Sequence, residues 1–398
     1  MTLLERLLRS LLQFREELAE VRVALSPEAP TPTSIPAKLT QDLPLHWCRE
    51  DAPLARRLRQ AHVEAGGEPT LVFSADTVVD ERVVVHLLGT GGALAFIDGD
   101  GEERSAVLRL EGELPEAGDR DLDLPALAEL LLRSGKAQGL EASGFDGYIV
   151  NLRRMLPPYL FRIPDAASRD RVERFLFWSN YKGSTDFLTK YVYPPLVWAM
   201  VRPLTHLRIH PNWVTGLSWV AAFVAVPLFA AGAWVPSITL AYVMSVLDSV
   251  DGKVARLTFT SSKFGEIFDH GLDIIHPPIW YMAWGWALSQ GDPTAAPFQA
   301  SLLMFGVYVA DRACAGVFRG RTGASIHGYT PLDEKLRTFI SRRNVNLAFF
   351  TAALLIDWLV PGHRVAEMTF YAIVAWQIIC LAWHIERVVQ FWNSRRTP

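Results

Sequence analysis

The sequence has little from which a disulfide framework or a thiolate metal site could be built. Its 398 residues include only three cysteines, which lie far apart and lack the spacing of metal ligands or disulfide pairs. Excess charge of one sign is also missing, because 39 lysines and arginines face 42 aspartates and glutamates, a net charge of -3. This balance gives no support to nucleic-acid binding. No secretory signal is visible, so we expect the cysteines to face a reducing cytosol.

Hydrophobic residues are abundant but unevenly distributed. They make up 50% of the chain, yet residues 1–181 are polar and acidic, whereas residues 190–392 are rich in Trp, Phe, Leu, Ala, Val and Ile. A chain of this length is expected to hold more than one domain. The composition therefore predicts a soluble domain over residues 1–181 and a membrane domain after it.

Residues 1–181 have the pattern of a layered α/β domain, in which helices alternate with short apolar runs. The predicted helices and strands cover, in chain order, residues 52–65, 70–73, 79–88, 93–97 and 124–133. A glycine-rich turn at 89–92 lies between a helix and a strand, which is the wrong order for a phosphate loop, so we interpret it as a helix end. Leucines between charges at the N-terminus predict an amphipathic helix that packs on this domain or mediates self-association, with membrane contact as the less favoured alternative.

The rest of the chain predicts an α-helical membrane protein. Residues 182–210 are apolar and basic but interrupted by prolines, which favours a helix lying at the membrane interface. Six transmembrane helices are then predicted over residues 211–392, since each apolar stretch is long enough for a ~30 Å hydrocarbon core. These stretches are 213–233, 234–252, 264–289, 298–319, 344–361 and 366–389. Basic residues concentrate in the loops of one side, so we expect both termini and that side to be cytoplasmic, in an inner or plasma membrane.

Four aspartates stand at regular spacing across two predicted spans. The segment DSVDGKVARLTFTSSKFGEIFDHGLD has the pattern D-x-x-D-G-x-x-A-R, eight residues, then G-x-x-x-D-x-x-x-D. Asp248 and Asp251 are three residues apart and share one helix face, and Asp269 and Asp273 are four apart and share a face of the next helix. A short cytoplasmic turn joins the helices, so the four carboxylates are expected to converge near the cytoplasmic end of the membrane.

Four acids at membrane depth are costly unless cations compensate them. Few basic residues lie in these two helices, and carboxylate oxygens suit Mg²⁺ or Mn²⁺. Two such ions about 3.5–4 Å apart stabilise the attacking and leaving oxygens in phosphoryl transfer. The pattern therefore predicts two divalent ions and phosphoryl-transfer chemistry, and the alternatives are a structural polar cluster or acids lining a cation transport path.

The segment resembles the signature of the CDP-alcohol phosphatidyltransferase family, with every signature position filled. Pro211-Asn212-Trp213-Val214-Thr215 also resembles that family's P-N-x-x-T motif, and the resemblance covers about residues 182–392. It implies an enzyme of phospholipid biosynthesis that transfers a phosphatidyl or phospho-alcohol group from a CDP-linked donor to an alcohol, with release of CMP. CDP-diacylglycerol is the expected donor, and a CDP-linked polar alcohol is the alternative. The family also implies a homodimer.

The resemblance assigns roles by position. It implies metal binding by Asp248, Asp251, Asp269 and Asp273, and makes Asp273 the general base that takes the proton of the acceptor hydroxyl. The residues implied in binding the CDP part are Thr215, Gly252, Ala255, Arg256 and Gly265. For the acceptor, an alcohol or phospho-alcohol, we expect Arg312 and Arg342, although a structural ion pair between Asp311 and Arg312 is the other interpretation. Adjacent residues on a helix are expected to face different ways.

Residues 53–88 resemble a second family, the sugar nucleotidyltransferases. That family carries a glycine-rich phosphate loop near its N-terminus, and none precedes residue 66 here. The resemblance therefore implies a degenerate copy without catalysis, in which Asp76 stands where the family places a metal-binding aspartate. The fusion is similar to enzymes that make di-myo-inositol phosphate lipids or solutes.

Overall fold

The computed structural model describes residues 1–112, 122–149, 152, 154–181 and 185–394. The chain divides into two compact units, Met1–Asn180 and Tyr181–Pro398. The first unit is α/β and the second is mostly helical, in agreement with the predicted fold class.

The first unit combines six helices and ten strands in its described residues. The helices are α1 (Leu3–Leu11), α2 (Ala37–Asp42), α3 (Leu54–Glu64), α4 (Glu81–Gly89), α5 (Leu124–Arg133) and α6 (Ala166–Ser179). The strands are β1 (Val21–Leu25), β2 (Leu45–Arg49), β3 (Thr70–Phe73), β4 (Thr77–Val79), β5 (Leu94–Asp98), β6 (Ser105–Leu110), β7 (Gln138–Leu140), β8 (Tyr148–Ile149), β9 (Arg154–Met155) and β10 (Leu160–Arg162).

A four-stranded sheet in the order β3-β6-β5-β7 organises this unit. Strand β6 is antiparallel to both neighbours, and β7 is parallel to β5. Successive side chains of a strand point to opposite faces. Leu108 therefore packs with α3 and α5, whereas Val107 packs with α1 and α4. Because β6 is covered on both sides, all six of its residues are buried.

The predicted elements of the first unit lie close to their observed positions. Strand β3 and helix α5 have the predicted bounds, and α4 ends at Gly89, so the glycine-rich turn follows a helix as expected. Helix α1 buries Leu7 and Leu11 against the sheet layer, which is the packing interpretation of the amphipathic N-terminus. The nucleotidyltransferase resemblance stays a prediction.

The second unit begins with a short π-helical turn, Leu188–Val192, and continues in eight helices within the part of the chain described. These are α7 (Pro194–His206), α8 (Pro211–Ala230), α9 (Trp234–Leu257), α10 (Lys263–Leu288), α11 (Ala296–Thr322), α12 (Pro331–Leu336), α13 (Arg343–Leu359) and α14 (Val365–Ser394). Helix α7 lies in the stretch predicted as interfacial. Six of the others lie where spans were predicted.

Three helices are long and apolar enough to cross a membrane: α8, α11 and α14. Helices α9 and α10 contain the four aspartates, and α13 has only 17 residues, so composition alone does not mark these three as spans. The second unit is that of an integral membrane protein, and the count of six spans stays a prediction.

An aromatic core holds these helices together. Trp284 of α10 stacks on Phe350 of α13 with ring centroids 4.3 Å apart, and Phe229 of α8 packs against Trp284 at 5.6 Å. Aromatic pairs of this kind add to the packing energy of the buried surface. Helix α8 packs against both α9 and α10. It therefore sets the relative position of the two helices that carry the aspartates.

Candidate active site

The aspartates of α9 and α10 are linked by an arginine from a third helix. Arg343, the first residue of α13, donates Nη2 to Oδ2 of Asp248 at 2.9 Å and Nη1 to Oδ1 of Asp273 at 2.9 Å. The same Nη1 lies 3.3 Å from Nε2 of His276. Asp248 and Asp273, one from each helix, therefore converge on one guanidinium, which supplies the positive charge nearest to both.

Asp251 is held from the side of α8. It is 3% exposed, and its Oδ2 accepts a hydrogen bond from the hydroxyl of Thr215 at 2.6 Å. Its Oδ1 accepts from the backbone N–H of Gly252. Thr215, predicted to line the nucleotide pocket, is itself buried and contacts this carboxylate directly.

Asp269 and Arg256 lie in the same electrostatic neighbourhood. Asp269 is close enough to interact electrostatically with Asp248 and with Arg256, and Asp251 also interacts electrostatically with Arg256. The Arg256 guanidinium lies against the backbone of Gly252, where an added Cβ would stand 3.3 Å from Nη1. Ala255, half-buried, lies between these two residues in sequence. Glycine at 252 therefore leaves room for the observed position of Arg256.

Gly265 lies close to the second sequence motif. A Cβ at Gly265 would stand 3.1 Å from Oδ1 of Asn212 and 3.2 Å from Oγ of Ser262. Ser262 caps helix α10 by accepting from the N–H of Gly265. The P-N-x-x-T motif at the start of α8 and the glycine at the start of α10 are therefore neighbours, which the sequence could not show.

The carboxylates do not enclose a metal-sized site in this arrangement. Among the described residues, no three acidic, histidine or cysteine side chains stand close enough to hold an ion. The chemistry of the donors fits Mg²⁺ or Mn²⁺, because all four are carboxylates. In addition, Oδ1 of Asp248 is buried and has no hydrogen-bond partner in the described part of the chain. The predicted ions stay a prediction.

The two arginines predicted to bind the acceptor have different surroundings. Arg312 donates Nη2 to Oδ2 of Asp311 at 2.6 Å, so the two residues form an ion pair, and acceptor binding by Arg312 stays a prediction. The two side chains differ in exposure, 2% for Asp311 and 28% for Arg312, and the long arginine side chain reaches back to its neighbour's carboxylate. Arg342 occupies the N-cap position of α13 without a side-chain capping hydrogen bond, and it lies within electrostatic range of Arg312 and Asp273.

Sequence reasoning missed the importance of Arg343. It chose the neighbouring residue, Arg342, for a function. An acid inside a membrane needs a partner, which pointed to the arginines at the helix ends. Which of two adjacent arginines reaches the acids depends on the rotation of α13, and no local pattern reports that rotation.

Part of the second unit is similar in sequence to a known protein family. A sequence model of the CDP-alcohol phosphatidyltransferase family matches residues 208–383. An uncharacterised class-I member of that family from Schizosaccharomyces pombe is 30% identical over 115 residues, 24% of this chain and 29% of the relative. The CDP-diacylglycerol–serine O-phosphatidyltransferase of Helicobacter pylori is 36% identical over 73 residues, 18% of this chain and 31% of that enzyme.

The chain thus spans less than a third of the length of the curated relatives that it matches. Among solved structures, it is similar to the Mycobacterium tuberculosis phosphatidylinositol phosphate synthase with CDP-DAG bound. The TM-score is 0.39 at 16% identity, and the match covers 49% of this chain and 92% of that one.

Proposed function

We propose that this chain, whose residues 208–383 belong to the CDP-alcohol phosphatidyltransferase family, transfers a phosphatidyl group from CDP-diacylglycerol to an alcohol. The observation that carries the proposal is the family's aspartate spacing at Asp248, Asp251, Asp269 and Asp273, inside the matched segment. The lipid donor is supported by the activity named for the Helicobacter pylori relative. A CDP-linked polar alcohol is the alternative donor.

Asp273 acts as the base in the proposed reaction. The acceptor hydroxyl oxygen forms a bond to the phosphorus that carries the lipid, the bond from that phosphorus to the CMP oxygen breaks, and the hydroxyl proton passes to the Asp273 carboxylate. Asp273 is the more accessible of the two carboxylates on Arg343, 47% exposed against 16% for Asp248. A base must lie within hydrogen-bond reach of the proton that it removes, and this exposure leaves an approach open.

The metal ligands in this proposal are Asp248, Asp251, Asp269 and Asp273, with Asp273 shared between both roles. Two Mg²⁺ or Mn²⁺ ions, when bound, would neutralise diphosphate charge and stabilise the oxygens of the reacting phosphorus. Arg343 stands beside Asp248 and Asp273 and would hold the two carboxylates toward each other.

The nucleotide part of the donor is proposed to lie along α9. Gly252 and Ala255 present little side chain, so a flat base can approach the helix, with Gly265 and Thr215 on the neighbouring helices. Nε of Arg256 is buried and has no hydrogen-bond partner among the described residues. A diphosphate oxygen is a strong acceptor for such a donor.

Arg312 and Arg342 are proposed to bind the acceptor. The two arginines lie close enough to repel each other electrostatically, and Arg342 makes no side-chain hydrogen bond within the described residues. A carboxylate or phosphate on the acceptor would relieve that repulsion. A homodimer in the membrane, with the cluster facing the cytoplasm, completes the proposal.

The test is CMP release by the full-length protein purified in detergent. CDP-diacylglycerol would be supplied with Mg²⁺ or Mn²⁺ and, in turn, L-serine, glycerol 3-phosphate and inositol phosphate. We expect release that depends on the ion and on one acceptor, and that is lost in Asp273→Asn. Asp292→Asn, in the loop after α10, is the matched control and should keep full activity.

Each outcome of this assay separates the alternatives. Release with a CDP-linked polar alcohol in place of CDP-diacylglycerol would replace the proposed donor. Absence of release with every donor and acceptor would contradict the proposed transfer. Release that persists in Asp273→Asn would remove Asp273 from the role of base.

A further inference from the structure

A buried histidine and aspartate support Arg312 from behind. Nδ1 of His384 on α14 donates to Oδ1 of Asp311 at 2.5 Å, and Oδ2 of the same carboxylate accepts from Arg312. The Asp311 and His384 side chains are each 2% exposed, whereas that of Arg312 is 28% exposed. The arrangement is a chain of three side chains in which the outermost member is the accessible one.

The series of contacts from His384 through Asp311 to Arg312 continues to α10, the helix that carries Asp273. The Arg312 guanidinium lies 5.5 Å from the centre of the Tyr308 ring, and the Tyr308 hydroxyl donates to the backbone carbonyl of Asp273 at 3.1 Å. On the far side, the His327 ring packs edge-on against that of His384, with centroids 4.8 Å apart. Helices α10, α11 and α14 are therefore joined through one polar contact path.

We infer that His384 and Asp311 are positioning residues, which fix the Arg312 guanidinium toward the acceptor. This inference rests on the proposed function. An arginine side chain has many rotamers, and holding it in one of them reduces the entropy lost when the acceptor binds. Asp311 can orient Arg312 only if its own carboxylate is fixed, and His384 supplies the hydrogen bond that fixes it.

The variant that isolates this role is His384→Leu, measured by steady-state CMP release. The acceptor is whichever of L-serine, glycerol 3-phosphate and inositol phosphate supports release by the wild type. We expect the KM for that acceptor to rise about tenfold, the size of one lost hydrogen bond to a charged group. The KM for CDP-diacylglycerol and the kcat should stay within about twofold. The reason is that the substitution weakens acceptor binding equally in the ground state and in the transition state.

Two further variants separate positioning from general loss of structure. His384→Gln keeps an amide donor and should recover part of the acceptor KM. Gln377→Leu replaces another buried polar residue of α14, two turns earlier, whose Nε2 has no partner among the described residues. It should leave both KM values unchanged. In an Arg312→Met background, His384→Leu should add nothing to the acceptor KM, since the residue it positions is already gone.

Unchanged acceptor KM in His384→Leu, or equal rises in both KM values, would overturn the inference while leaving the transferase activity established. A wild-type protein that releases no CMP counts against the proposed function instead. Thermal unfolding in detergent then decides the inference. Coupling between positions 384 and 312 of about 2 °C or more in a double-mutant cycle supports it, and additive shifts contradict it.

Discussion

Arg343 donates Nη2 to Oδ2 of Asp248 at 2.9 Å, across 95 residues of sequence. The arginine is 10% exposed and the aspartate 16% exposed, so the pair is largely removed from water. Removing one partner of such a pair leaves an uncompensated buried charge, which is far more costly than the net contribution of the pair. The start of α13 is therefore part of the aspartate cluster, although it lies 70 residues beyond the last aspartate.

Arg343→Met is expected to destabilise the protein when divalent ions are absent. Asp248 and Asp273 would lose their shared counter-charge, at a cost of about 2–4 kcal/mol, reduced because Asp273 is partly exposed. The measurement is the midpoint of thermal unfolding in detergent with EDTA, followed by tryptophan fluorescence. Saturating Mg²⁺ should narrow the difference from the wild type if the carboxylates bind the ion.

Arg364→Met is the control for that experiment. Arg364 is 82% exposed, and its ion pair with Glu367 spans 3.9 Å, so its removal should change the midpoint little. An equal loss of stability in both variants would show that Arg343 has no special role. A difference that Mg²⁺ leaves unchanged would argue against ion binding at these carboxylates.

Thr215→Val tests the support of Asp251. The substitution keeps the shape of the side chain and removes the hydroxyl that donates to Oδ2 of Asp251. A buried carboxylate that loses a donor costs about 1–3 kcal/mol. We expect CMP release to fall about tenfold or more. Thr239→Val removes an exposed hydroxyl that bonds only the backbone of α9 among the described residues, and it should be neutral.

The spacing of the candidate site residues could be read from the sequence, but the contacts between them could not. The spacing of Asp248, Asp251, Asp269 and Asp273, combined with helix geometry, predicts which of them share a helix face. Contacts such as Thr215 with Asp251, or Gly265 with Asn212, depend on how α8 packs against α9 and α10. Packing of this kind is decided by aromatic side chains such as Trp284 and Phe350, which carry no local signal of their partners.

The bounds of helices and strands were easier to predict in the first unit than in the membrane unit. The alternation of helical and short apolar segments predicted helix α5 and strand β3 with their observed ends, and in the structure Asp123 caps α5. For the membrane unit, α9 and α10 were predicted as spans although the aspartates reduce their apolar character. A cluster of aspartates needs acidic side chains, whereas a hydrophobic span needs apolar ones. The sequences of α9 and α10 contain both kinds of residue.

Gly252→Ala tests the space in front of Arg256. The new methyl group would stand 3.3 Å from Nη1 of Arg256, the end of a flexible side chain, so the guanidinium can move aside and the fold should survive. We expect a higher KM for CDP-diacylglycerol with the unfolding midpoint nearly unchanged. Gly316→Ala, on α11 with no neighbour within 4 Å, is the control and should alter neither quantity.

Asp76→Asn tests whether the first unit carries chemistry. Burial raises the pKa of Asp76, but hydrogen bonds from Arg162 and Ser74 outweigh it and hold the pKa below its ordinary value of 3.8. Since the folded pKa is the lower one, the pair stabilises the fold above pH 3.8 and loses this effect as the pH falls through the folded pKa.

The Asp76–Arg162 pair is partly exposed on both sides and contributes at most about 1 kcal/mol. We therefore expect Asp76→Asn to keep full CMP release at pH 7, with a small decrease in the unfolding midpoint. Loss of release in this variant, with the protein still folded, would show that the first unit takes part in the reaction.

Gly285→Ala should be the most disruptive of these single substitutions, although it lies outside the aspartate cluster. A Cβ at Gly285 would stand 2.4 Å from Cβ of Ser301 and 2.8 Å from the carbonyl oxygen of Pro297. Small residues allow helices to approach closely in membrane proteins, and these contacts cannot move without separating α10 from α11. We expect little folded protein by size-exclusion chromatography in detergent, whereas Gly316→Ala elutes like the wild type. A well-folded Gly285→Ala protein with normal stability would mean that α10 and α11 are farther apart than these distances require. The hydrogen bond between Tyr308 of α11 and Asp273 of α10 would then be longer as well.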